Sequence, residues 1–305
     1  MILGALIGAV FLAFWCYKSR FSFSNDSAVY MMLTGGEVVS SPFRWRMGLP
    51  AVCQLFGFPT TEPVPVRPHH NAVVYKWCPL RPIVVWSVIS YLSMIGSAAL
   101  VYRMAENHGA PGWLATTLFC TLSWYRLVSC IPILTDQTGM FLALLTASLP
   151  FPYNIPVAIA AGLTHERSAV FAACFSLSPW PLVGLVGPAL IAWLGRSGPV
   201  QVWEKGITDI PLKSARERWE RVPLWGCVLP WGAALLGIAP TWQCAITLAV
   251  AYGQTFVAVD RVRLYQWASP VLVVPAAAFM GQLQWGWMMG ILILHVIIPT
   301  SDARA

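Results

Sequence analysis

The sequence predicts an all-α protein, a polytopic bundle of about ten transmembrane helices with a long first outer loop. Three observations predict it. The chain of 305 residues is 57% hydrophobic and only 10% charged, with a mean hydropathy of +0.65, whereas a soluble domain is about a quarter charged. Polar residues are too few to coat a water-facing globule of this size, so the bilayer serves as solvent for most of the surface. The apolar residues gather in runs separated by polar loops, many of them near the roughly 20 residues that a spanning helix needs. The 16 Trp and 9 Tyr suit the aromatic belts at membrane–water boundaries.

In chain order the candidate spans are roughly 2–17, 82–102, 113–133, 138–150, 155–175, 180–195, 222–239, 241–259, 264–280 and 284–299. The first lacks a basic n-region, and Phe14-Trp15-Cys16 is a poor small-residue cleavage site, so it reads as a retained helix rather than a signal peptide. Several spans are short, and Pro or Gly interrupts most of them. Broken helices survive at membrane depth only where they are buried in protein or line a cavity. That favours a carrier or an enzyme over a simple anchor. The whole chain, 1–305, reads as one integral membrane domain with two large loops.

The first loop covers 18–81. Within it, Ala28 to Leu33 and Leu49 to Phe58 are short apolar stretches suited to lying along the interface. Pro59, Pro63, Pro65 and Pro68 then predict an extended connector. The second loop, 196–221, carries Arg196, Lys205, Lys213, Arg216, Arg218 and Arg221, and its basic character marks the cytoplasmic side. Counting spans back places the N-terminus inside and the first loop outside. The first loop is itself basic, with Lys18, Arg20, Arg44, Arg46, Arg67, Lys76 and Arg81. Arginines kept outside against the usual trend are candidates for function.

The net charge of +7 does not indicate nucleic-acid binding, because the charges sit in loops where headgroups and topology account for them. Six of the eight cysteines lie in or beside apolar runs, where cysteine acts as a small hydrophobe. Only Cys53 and Cys78 share a long loop, and a disulfide between them is open if that loop faces an oxidising compartment. No CxxC or Cys/His zinc spacing occurs.

Five constellations carry chemistry. Asp26, just after the first span, reads either as a general base at the outer face or as a helix N-cap together with Asn25. Arg44 and Arg46 are two apart, so in extended backbone they share a face. Both guanidiniums then suit one phosphate or diphosphate, or else plain headgroup contact. Thr135-Asp136 opens the fourth span, where an acid favours the helix dipole; Asp136 is expected on the same side as the first loop. His165, Glu166 and Arg167 interrupt an apolar run. A charge at the bilayer centre costs at least about 2.5 to 3.5 kcal/mol, so three ionisable residues there read as a site, unless the span is really two short helices. Arg126 is one candidate partner for Glu166. Last, Asp260, Arg261 and Arg263 precede Ser269-Pro270 and read as a local ion pair or as a second phosphate clamp. There is no GxSxG, P-loop, HExxH or Rossmann glycine pattern.

The order of these pieces resembles the GT-C superfamily of integral membrane glycosyltransferases, compact bacterial and phage members especially. The matching elements are Asp26, Tyr30 and Gly35, then Pro42-Phe43-Arg44-Trp45-Arg46-Met47-Gly48-Leu49-Pro50, then Thr135-Asp136. Leu163-Thr164-His165-Glu166 matches the family's Leu-Thr-Arg/Lys-Glu turn, with His in place of the usual base, and Asp260-Arg261-Val262-Arg263…Pro270 follows. The likeness covers residues 1–280, and the chain is shorter than most members. It implies transfer of a sugar from a polyprenyl-phosphate donor to a glycan, lipid or protein acceptor on the non-cytoplasmic side, in a bacterial inner membrane. Asp26 would be the catalytic base. Arg44, Arg46, Arg261 and Arg263 would hold the donor phosphate. Tyr30, Asp136, His165, Glu166, Arg167 and Asp260 would support or orient, with Glu166 and Asp136 placing the donor or a divalent cation. Two other functions fit the same residues: a carrier or flippase for a lipid-linked or anionic solute, which needs no base, and a non-catalytic membrane partner of another complex.

Overall fold

The computed structural model describes residues 1–19, 27, 30, 46–55, 61–66, 74–194, 228–239, 241–254 and 266–297. These residues are predominantly helical, with one two-stranded sheet. One helix among them, Leu80–Asn107, contains a stretch, Val84–Asn107, long and apolar enough to cross a membrane. Shorter apolar helices are Ile2–Lys18, Asn154–Thr164, Trp180–Ile191, Gln266–Met280 and Trp285–Val296. The chain divides into two compact units, one of Met1–Leu12, Ile95–Leu127 and Lys205–Ala305, the other of Ala13–Met94 and Val128–Glu204.

The long helix buries a mixed face, in which serines alternate with Met94, Leu100 and Val101, and leaves apolar side chains exposed along part of another. Trp86, Ser90, Ser93 and Ser97 are buried along one face, while Val84, Val88 and Leu92 are exposed along another. The two sets recur at three- and four-residue spacing, the period of a helix face. Helix Ile2–Ser19 likewise has one buried and one exposed apolar face. Gly4, Gly8, Leu12 and Trp15 are buried, and Ile2, Leu6, Val10 and Phe14 are exposed.

In the second unit, helices Asp136–Ser148, Asn154–Thr164 and Glu166–Ser176 pack with the 3-10 stretch Trp180–Leu185. The contact of Asn154–Thr164 with that stretch is backbone to backbone: a Cβ at Gly162 would overlap the carbonyl of Gly184, and one at Gly184 would overlap the carbonyl of Ala158. Strands Thr61–Val66 and Val74–Pro79 pair antiparallel, with Pro63 opposite Trp77 and Pro65 opposite Tyr75. The expected extended connector is thus a hairpin. Two prolines two residues apart drop their missing N–H groups on one edge, and a two-stranded sheet has an open edge to receive them. Cys53 is a buried free thiol, so the disulfide option with Cys78 is not taken.

In the first unit, Phe119, Trp124 and Tyr125 stack with centroids 5.6 to 6.4 Å apart, and the Tyr125 hydroxyl donates to the Gly8 carbonyl at 3.0 Å. The expected span 113–133 is broken at Leu122, whose backbone is extended, into Gly112–Thr121 and Ser123–Cys130. A new helix start leaves backbone N–H groups without partners. Here the Gln266 side-chain oxygen accepts from the Trp124 N–H, and the Gln266 amide donates to the Pro230 carbonyl at 2.8 Å. His295 makes a similar pin. Its Nδ1 accepts from the Ala233 N–H at 3.0 Å. Gly232, at φ +50, allows this approach because any Cβ there would overlap the ring.

Gly162→Ala is expected to lower stability by roughly 2 kcal/mol, since the backbones must separate to admit the methyl group. Gly290→Ala, in a helix interior with nothing near its Cβ position, is expected to be neutral or to stabilise by up to about 1 kcal/mol. Thermal unfolding of the two variants in detergent checks the contrast.

Candidate functional site

The expected span 155–175 is two 11-residue helices that meet at His165. No glycine or proline makes this break. His165 adopts extended backbone, φ −156 and ψ 120, and acts as the N-cap of Glu166–Ser176. Its Nδ1 accepts from the Arg167 backbone N–H at 3.3 Å. A ring nitrogen that accepts carries no proton, so the 3.5 Å approach of Nδ1 to the Glu166 carboxylate is not a hydrogen bond. His165 is fully buried.

The first loop reaches this break through a glycine. A Cβ at Gly48 would lie 3.0 Å from Thr164 Oγ1 and 3.1 Å from the Leu163 carbonyl carbon. The short helix Gly48–Gln54 therefore starts directly on the backbone of the break. Arg46, two residues earlier, is brought onto Glu166. Its Nε donates to Glu166 Oε2 at 2.8 Å and its Nη2 to Oε1 at 2.6 Å. This is a bidentate, charge-assisted pair, the strong form of such contacts. The guanidinium that meets Glu166 comes from the first loop rather than from Arg126.

The opposite side of the guanidinium continues the network. Arg46 Nη1 donates to the Tyr30 hydroxyl at 2.7 Å, and Tyr30 Oη lies 2.9 Å from Thr135 Oγ1. Either hydroxyl can be the donor in that contact. The Tyr30 ring packs on Trp86 at 5.4 Å, and the Trp86 indole N–H donates to the Leu134 carbonyl at 3.2 Å. The turn before helix Asp136–Ser148 is held from both sides. Gln137 reinforces it by donating to the Val128 and Ile131 carbonyls at 2.9 and 2.8 Å. Asp136 is buried at the first position of that helix.

Burial disfavours the Arg46 cation, but the Glu166 carboxylate and the Tyr30 hydroxyl outweigh it and hold the group well above its usual range. The guanidinium is therefore a fixed positive charge. Its Nε–Nη2 edge, the one a phosphate would take, is on Glu166.

Of the residues singled out from the sequence, Tyr30, Arg46, His165 and Glu166 meet here beside Thr135-Asp136. Arg167 follows on the same helix, half-buried. Asp26, Arg44, Asp260, Arg261 and Arg263 lie outside the described residues. Gly48, Trp86 and the hydroxyl of Thr135 are structural members that sequence reasoning did not assign. Gly48 carried a signal, a glycine two residues from a candidate arginine; Trp86 carried none. Among the described residues no group of three or more His, Cys, Asp or Glu is placed to hold a metal ion. Comparison with family models, curated proteins and solved structures finds no match to this chain.

Tyr30→Phe is expected to cost about 1 to 3 kcal/mol, because it removes the acceptor of one guanidinium arm and the hydroxyl partner of Thr135. Thr135→Val added to that variant is expected to cost less than it does alone, since the two hydroxyls act as one unit. Unfolding of the two single variants and the double variant measures the coupling.

Proposed function

We propose that the chain is a multi-pass membrane glycosyltransferase that moves a sugar from a polyprenyl-phosphate donor to an acceptor on the non-cytoplasmic side. The observation that carries this reading is the hydrogen-bonded run Glu166–Arg46–Tyr30–Thr135. It unites three of the motifs on which the GT-C likeness rests, across sequence separations of 120 and 105 residues. The exposed aliphatic face of Val84, Val88 and Leu92, on a helix long and apolar enough to cross a membrane, supports a lipid-facing exterior, because in lipid an apolar face points outward. It also supports counting the shorter apolar helices among the spans of a polytopic bundle.

On this reading the acceptor hydroxyl attacks the anomeric carbon while Asp26 takes its proton. The bond from that carbon to the phosphate oxygen breaks, and the electron pair leaves with the polyprenyl phosphate. Arg44, Arg261 and Arg263 stabilise the leaving phosphate as charge develops. Arg46, tied to Glu166, positions the loop that carries Asp26. Asp136 orients the donor. A general base contributes about 10²- to 10⁴-fold.

A second reading is favoured by one feature. A span interrupted by polar residues is also how carriers build binding sites at membrane depth. A carrier or flippase for a lipid-linked anion would use the same guanidiniums and no base.

Asp26→Asn is expected to abolish transfer of labelled sugar from a membrane lipid extract while expression and folding stay intact. An unchanged rate contradicts the enzyme reading. Movement of substrate by the reconstituted protein without product establishes the carrier instead.

A further inference from the structure

We propose that Glu166 is a built-in occupant of an anion seat on Arg46, and that a phosphate group displaces it. The choice of phosphate rests on the function proposed above; the exchange itself rests on the geometry of the pair.

A guanidinium edge that grips a carboxylate with two parallel bonds has the spacing to grip two phosphate oxygens in the same way. The two partners are held unequally. The Arg46 side chain is 9% exposed and the Glu166 side chain 25%. Arg46 is fixed from behind by Tyr30 through Nη1 and from below by the contact of Gly48 with Thr164. Glu166 has the open side. It also stands at the first position of helix Glu166–Ser176, where a carboxylate is stabilised by the helix dipole with or without a guanidinium. The acid is therefore the partner that can swing away.

Once it does, the Nε–Nη2 edge of a buried cation has given up the two bonds to Glu166, and a replacement anion is favoured there. Phosphate supplies more negative charge than a carboxylate and more acceptor oxygens. No covalent bond forms or breaks in the exchange. Glu166 leaves as a carboxylate, and the incoming oxygens accept the two N–H bonds it gave up. In the absence of ligand the carboxylate keeps the buried guanidinium paired, so the loop stays docked on the break at His165. The cost is an internal competitor at the seat.

The test uses the full-length protein in detergent and isothermal titration with three probes: geranylgeranyl phosphate, geranylgeraniol and inorganic phosphate. Glu166→Gln removes the competing charge. It is expected to tighten geranylgeranyl phosphate at least tenfold and to leave geranylgeraniol unchanged, and Arg46→Gln is expected to abolish the phosphate-dependent part. An equal gain for inorganic phosphate means that free phosphate fits the seat; a gain confined to the lipid means that the headgroup of a membrane lipid is the ligand. Either supports the exchange. Unchanged or weaker binding of every phosphate probe in Glu166→Gln overturns it. If that variant does not fold, Glu166→Asp, one methylene too short to span the fork, is read the same way, with a gain expected and its absence decisive. Tighter binding in a protein that transfers no sugar leaves the exchange standing and removes the enzyme. Transfer by the unaltered protein without tighter binding in the variants does the reverse.

Discussion

A buried guanidinium must have an anion, and the paired edge of Arg46 finds its anion in Glu166. Taking either charge out of water costs several kcal/mol, and only a close, well-directed pair offsets that. The requirement propagates through the second unit. For Glu166 to point at the loop, the run 154–176 has to break, and His165 breaks it by turning extended and capping the helix that follows. For Arg46 to reach Glu166, the loop has to come close to the backbone of the break, and the glycine at position 48 leaves the room, since a Cβ there would sit 3.0 to 3.1 Å from residues 163 and 164. Tyr30 and Thr135 then absorb the donor on the far side of the guanidinium. A set of residues scattered over more than a hundred positions acts as one object because one charge needs so many partners.

On the proposed membrane reading, the packing within each unit follows from what a lipid solvent would withhold. Where both the exterior and the interior are apolar, burial of apolar surface cannot drive helices together, and close backbone approach and hydrogen bonds take over. The observed contacts have that character. Gly162 meets Gly184, Gly4 and Gly8 meet Tyr102 and Ala98, and Gly237 meets Leu272. Serines, Gln137 and Gln266 share the interior with leucine, valine and aromatic side chains. On the membrane reading these residues are the means of association. The few polar groups that remain also mark where the chain spends free energy on something other than packing.

The helical class was legible in the long apolar runs, and the discontinuity at His165 was legible because three ionisable residues stand in a row there. Arg46 and Glu166 were each visible as charged groups out of place, whereas Tyr30 entered only through the family likeness. The pairing of Arg46 with Glu166 was not visible, because nothing in a linear sequence states that residue 46 meets residue 166 or that residue 48 lies on residue 164. The break at Leu122 was also hidden. It carries no glycine, proline or charge, and its exposed backbone donor is satisfied by a glutamine far along the chain. The hairpin at 61–66 and 74–79 was missed for the opposite reason. Its prolines looked like breakers, and they are tolerated because they line an unpaired edge. Local signals therefore located the interruptions where charge is out of place, while those stabilised by distant side chains needed the fold.

The central claim is that the Arg46–Glu166 pair anchors the described part of the first loop to the break at His165. A double-mutant cycle tests it most directly, with Arg46→Gln, Glu166→Gln and both together in the full-length protein, read by unfolding free energy in detergent. The account predicts a coupling of about 2 to 4 kcal/mol, with the double variant far less destabilised than the sum of the single ones. Additive effects, with a coupling below about 0.5 kcal/mol, would contradict it.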